Sequence, residues 1–154
     1  MKSLIVVLAF FLAACSTAEE KECIRKYLDD SFTLKYNGCV VSLEVHRPAT
    51  DFEVLTFKLQ NETNKVLLSI YKGGAPDVVN LLQHESKLLG AINGLQAEVL
   101  EQLDDEKNIF IYEALIVLPE NAQGRVFYLH AQHEGVTKEE LQIVKAIVKS
   151  IAKK

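Results

Sequence analysis

The sequence predicts an α+β domain: an antiparallel β-sheet covered by helices, with an amphipathic helix at the C-terminal end. Three observations carry this. Runs in which apolar and polar residues alternate recur between Phe32 and Gln132, separated by turn residues. One run, Asn108–Leu118, is apolar on both parities, as in a central strand covered on both sides. Thr137-Lys138-Glu139-Glu140 then opens a stretch with helical spacing.

The elements follow in order. Ile24, Tyr27 and Leu28 stand at i, i+3 and i+4, which predicts a helix over Glu20 to about Asp30. Phe32, Leu34 and Tyr36 alternate with polar residues, and so do Val41, Leu43 and Val45 in Cys39–His46. Asn37-Gly38 lies between them and predicts a hairpin, because both turn positions favour positive φ. Arg47-Pro48-Ala49-Thr50-Asp51 breaks the run. A third strand carries Leu55, Phe57 and Leu59, and a fourth spans Val66–Tyr71, stopped by Gly73-Gly74-Ala75-Pro76-Asp77. Asp77 suits the N-cap of a short helix over Val78–Gln83.

Glu85–Leu103 reads either as a long helix or as two strands joined at Asn93-Gly94; the two glycines and Asn93 favour the strands. After the Asn108–Leu118 strand, Pro119–Gly124 is a loop and Arg125–Gln132 the last strand. In the terminal helix Leu141, Val144, Val148 and Ile151 form an apolar stripe widened by Ile143 and Ile147. Acidic residues at its start and lysines at its end suit the helix dipole.

The beginning of the chain is an address. One basic residue, Lys2, precedes 11 apolar residues, Leu4–Ala14. Spanning a bilayer takes about 20, so residues 1–14 read as a secretory signal. Leu12-Ala13-Ala14-Cys15 resembles the bacterial lipobox. That resemblance implies cleavage before Cys15, diacylglycerol on its thiol and an acyl chain such as palmitate on the new amine. More than one chain makes a stable anchor. Ser16 stands where an Asp would resemble an inner-membrane retention signal, which favours the outer membrane, facing the periplasm. Residues 15–21 are the lipidated cysteine and a short tether. At about 3.5 Å per residue, Ser16–Glu20 reaches only roughly 20 Å. Residues 22–154 form a single globular domain.

Without the leader, 16 basic side chains face 21 acidic ones, a net charge of −5. This disfavours nucleic acid, which needs concentrated Lys and Arg. No polybasic run is present, so the lipid alone explains the membrane. Cys23 and Cys39 remain once Cys15 is lipidated; in an oxidising compartment they most simply form a disulfide, with a metal pair as rival.

The order of elements, together with Ile70–Asp77, the Ile92-Asn93-Gly94 turn and Ile147–Ile151 in the terminal helix, resembles the PsbP-like family over roughly Phe32–Ala152. That resemblance implies an α/β/α sandwich and a role in binding or stabilising other proteins, with no catalytic signature.

Candidate chemistry is sparse. His84-Glu85-Ser86-Lys87-Leu88 starts like a zinc-protease motif but has Leu where the second His belongs. His130 and His133 would face opposite sides of a strand. No serine sits in a nucleophile elbow, and Asp104-Asp105-Glu106 reads as a solvated turn. No catalytic residue, metal site or cofactor is therefore expected. Glu113 stands apart as the one charge in Asn108–Leu118; buried, it needs a partner, and His130 on the neighbouring strand could be it. The expected function is a non-catalytic, lipid-anchored module that binds another envelope or secreted protein. The alternatives are an immunity protein against a periplasm-acting toxin (type VI secretion type), a small-ligand carrier and an unrecognised enzyme.

Overall fold

Alternation becomes strand along most of the chain. The computed structural model describes residues 23–49, 52–61, 65–76 and 88–154. The signal segment, Cys15, the tether, the short helix expected over Val78–Gln83 and His84–Lys87 lie outside the described residues. Within them are ten strands: β1 (Ile24–Leu28), β2 (Phe32–Asn37), β3 (Val41–Ala49), β4 (Phe52–Leu59), β5 (Val66–Gly73), β6 (Leu88–Ile92), β7 (Leu95–Asp104), β8 (Ile109–Val117), β9 (Tyr128–Val136) and β10 (Ala152–Lys153). One helix, α1 (Lys138–Lys149), joins them.

Every strand pairing is antiparallel. β3–β5 and β6–β9 are two meanders joined through β5 and β9, giving the order β3-β4-β5-β9-β8-β7-β6. β1, β2 and β10 form a second, three-stranded sheet. The expected α/β/α sandwich is thereby overturned: the described chain is mostly strand, and α1 and the small sheet share one face of the large sheet. That face holds Leu55, Phe57, Leu68, Ile70, Ala114 and Ile116, packed with Phe32 and Leu34 from β2 and Leu141, Val144 and Val148 from α1. Burying each large side chain contributes about 1.5–3 kcal/mol.

Four local readings are corrected with it. The segment around Ile24–Leu28 is a strand, not a helix. β1 pairs with β2 from Ile24↔Asn37 to Leu28↔Thr33, Tyr27 is turned inward beside the Phe32 ring, and Ile24 and Leu28 point out, 49% and 58% exposed. The supposed single face is split. Asn37-Gly38 does not close a hairpin, because its flanking strands belong to different sheets. Asn37 instead accepts from the Cys39 amide through its side chain, and the Gly38 amide donates to the Cys23 carbonyl.

The third correction is at Arg47-Pro48, which bends β3 but does not end it. A register shift between His46 and Ala49 accommodates it on an edge strand, where Pro removes no ladder hydrogen bond. The fourth is β9, which starts at Tyr128 and runs on to Val136. Gly135 (φ 90°) lies where the register with β8 shifts, between Glu134 and Val136.

Asn93-Gly94 is the turn between β6 and β7, with φ of 48° and 81°, and Glu85–Leu103 is strand wherever it is described. A shift between Phe57 and Lys58 places Leu67 in a bulge, so consecutive leucines at 67 and 68 both enter the core. In α1, Thr137 accepts from the Glu140 amide and Glu140 accepts from the Thr137 amide, a complete capping box. At its other end Asn93 donates to the carbonyls of Lys149 and Ile151. Cys23 and Cys39 form a disulfide with Cα atoms 5.3 Å apart. It ties the start of β1 to the exit of β2.

Candidate functional site

A cleft opens where the β1–β2 turn meets β3, β4 and the β8–β9 loop. It has two lobes, of about 210 and about 580 Å³, which share Asp30, Lys72 and Phe127. Alternation along β4 turns Glu53, Leu55 and Phe57 inward, so a carboxylate arrives where the core expects a hydrocarbon. Glu53 is only 4% exposed. A carboxylate so buried needs donors, and it has them. Tyr27 donates to Oε1 at 2.9 Å, Arg47 Nε donates to Oε2 at 2.8 Å, and a second Arg47 nitrogen donates to the Tyr27 oxygen at 3.0 Å. Burial, reinforced by Glu53, pushes the Tyr27 phenol up to about 12, so it stays a hydrogen-bond donor.

On the other side of the cleft, Asp29 accepts from the Ser31 amide and hydroxyl at 2.9 and 2.6 Å and from Lys72 at 2.7 Å. Burial alone would raise the Asp29 carboxyl, but these donors outweigh it and hold it below the usual carboxylate range. Lys72 also lies over the Phe32 ring, 5.8 Å from its centre. The outer wall is the Glu120–Gln123 loop. Asn121 organises it, its side chain accepting from the amides of Gln123 and Arg125 and its backbone pairing with Gly124 and Arg125. Gly124 closes the turn at φ 70°. The loop is thus internally bonded before anything touches it. Lys153 and Lys154 complete the rim.

Glu113 and His130 come together elsewhere, in the large sheet. They lie diagonally across β8 and β9, with His130 Nε2 and Glu113 Oε1 2.6 Å apart. Both are buried, at 0% and 3% exposure. Glu113 has the parity opposite to Tyr112, Ala114 and Ile116, so the pair is on the sheet face away from α1. His133 sits three residues further along β9, in register with Tyr112 on the other parity. Among the described residues, no three His, Cys, Asp or Glu side chains converge as metal ligands would. Asp104 turns back to accept from the Lys107 amide, at the β7–β8 turn. Cys23 and Cys39 are joined to each other, and Cys15 is outside the described residues. The Tyr27–Arg47–Glu53 cluster was missed in the sequence; continuing the Leu55–Phe57 alternation back by two residues would have turned Glu53 inward.

No protein-family model matches the chain, and no curated protein does. Among solved structures it is similar to a crystal structure from Bacteroides thetaiotaomicron VPI-5482, with 9% identity and a TM-score of 0.45, over 84% of this chain and 48% of that one. The chain spans about half the length of that protein. A likeness this loose carries no argument about function.

Proposed function

We propose that this chain is an envelope lipoprotein, anchored through lipid on Cys15 to the periplasmic face of the outer membrane, which acts by binding another envelope or secreted protein at the cleft. The observation that supports this best is the saturation of its two inner carboxylates. Glu53 and Asp29 are each held by neighbouring side chains, which makes the cleft a fixed pattern of donors and charges. Arg47, its side chain 61% exposed, presents its outer edge to an incoming surface. The internally bonded Glu120–Gln123 wall keeps ordering entropy low on association. Loops on a rigid scaffold commonly carry recognition in this way.

Capture from crosslinked envelopes, at low and high salt, tests the reading. Asn121→Ala with Gln123→Ala is expected to abolish capture of a specific protein at an unchanged melting temperature, and Arg47→Ala to abolish it with a lowered one, since the buried Glu53 then loses a donor. Cys15→Ala is expected to lose metabolic labelling by a fatty-acid analogue. Should the domain instead turn over a substrate, with activity lost in Glu113→Gln or His130→Ala, the binding reading is wrong.

A further inference from the structure

The outward face of the small sheet carries a pattern that sequence order hides. On β1, Ile24, Lys26 and Leu28 share one parity, opposite to Tyr27. In register across from them on β2 stand Asn37, Lys35 and Thr33. Lys26 therefore lies directly opposite Lys35. Like charges directly opposite one another destabilise a strand pair, and neither lysine has an ion-pair partner among the described residues; Asp29 and Asp30, in the adjoining turn, face Lys72 and Lys154. The exposed Ile24 and Leu28 flank the two lysines. An apolar groove of about 570 Å³ opens beside the patch and shares Ile24 and Lys35 with it, floored by Tyr36, Val40, Ile143 and Ile147.

We infer that this face lies on the bilayer: Lys26 and Lys35 meet the phosphates of anionic phospholipid, while Ile24, Leu28 and the groove take up hydrocarbon. Two apolar residues bracketing two cations are the composition of an interfacial membrane contact. Position in the chain agrees. Cys15 precedes Cys23 by eight residues, which at about 3.5 Å each span no more than roughly 28 Å. The inference rests on the anchoring reading for its geometry. The patch orients the domain, placing a defined side of it toward the membrane where the lipid alone would leave it free to tumble.

The test is lysine acetylation, with a water-soluble reagent, of the full mature protein in excess vesicles of phosphatidylcholine with or without phosphatidylglycerol, read by mass spectrometry. Lys26 and Lys35 are expected to react about thirty-fold more slowly on anionic vesicles, since each basic residue near such a surface contributes about 1 kcal/mol and 1.4 kcal/mol is a factor of ten. Lys138, at the opposite end of α1 from Ser150, should react equally in both. Ile24→Ser/Leu28→Ser, which keeps both lysines as reporters, should lessen their protection on anionic vesicles at an unchanged melting temperature. Equal reaction rates on both vesicle types overturn the inference, as does protection that needs a soluble acidic protein instead of lipid. The mass of the N-terminal peptide reports separately whether Cys15 carries lipid. If it does not, the anchoring reading fails, while excess anionic vesicles still put the patch to the same test.

Discussion

Glu113 and Glu53 are both almost wholly withdrawn from water, and they differ in what holds them. Glu113 sits within the large sheet against His130, and both partners are buried. Glu53 sits at the margin, held by Tyr27 from the small sheet and by Arg47, whose side chain is largely exposed. The first pair is sealed and belongs to the architecture. The second is a buried group with an accessible partner, so its outer edge can be read by another molecule without the core opening. Burial alone does not separate the two roles; the exposure of the partner does.

The largest expected effect comes from breaking the sealed pair. Glu113→Ala leaves the buried His130 ring without this carboxylate and opens a cavity, and should cost about 3–5 kcal/mol, lowering the denaturant midpoint. Capture of a partner at the cleft should survive under conditions where the variant is still folded. A loss much below 1 kcal/mol would mean that the pair is solvated or readily replaced, and the contrast with Glu53 would collapse.

Reducing the disulfide should be next in size. The chain-entropy model gives about 3 kcal/mol for a loop of this length, and the loss should be local in origin. Hydrogen exchange should rise first in β1 and β2, around Tyr27, while amides of β8 and β9 beside Glu113 and His130 stay protected. Uniform acceleration through both sheets would show that the margin and the centre open as one unit.

The smallest effect is on the acid limb of stability. The folded Asp29 carboxyl is held below its unfolded value, so its contribution is complete above the unfolded value near 4 and disappears as pH falls through the lower folded one. Glu140, which burial would raise but Lys65 and the Thr137 amide pull down, behaves in the same sense. Lys72→Met removes one of the donors to Asp29. The slope of unfolding free energy against pH below 4 should flatten, because stability falls at neutral pH, where the Asp29 contribution is complete, while the variant and the parent converge in acid. An unaltered slope would show that Ser31 alone holds Asp29.

What was legible in the sequence was local chemistry. Asn93-Gly94 and the Thr137–Glu140 capping box are decided by residues within four positions of each other, and the structure realises both. What was illegible depended on distant partners. Ile24, Tyr27 and Leu28 satisfy helical spacing, yet the pairing of β1 with β2 turned them to opposite faces. Asn37-Gly38 carries hairpin chemistry, but β2 finds its neighbours in β1 and β10 and sends β3 into another sheet. A helix-covered fold was inferred from the order of elements, and order says nothing about how many sheets the strands divide into. The cleft drew Tyr27, Arg47 and Glu53 from three strands, so its pattern existed nowhere along the chain. Glu113 was visible because a single charge in an apolar run is itself a local anomaly.

The small sheet has a consequence in time. β2 is flanked on one side by β1, a few residues away, and on the other by β10 at Ala152–Lys153, with Ser150 bonding to both the amide and the carbonyl of Lys35 from 115 positions downstream. Closing so long a loop is slow compared with laying down a neighbouring hairpin. While the chain is being made, β1 and β2 exist only as an isolated two-stranded ribbon, marginal in water by itself. The meanders can assemble first. The final segment then acts as a clasp, and a chain halted before Ser150 would leave the edge of β2 at Phe32 and Thr33 without its backbone partner, a mark by which an unfinished molecule differs from a finished one.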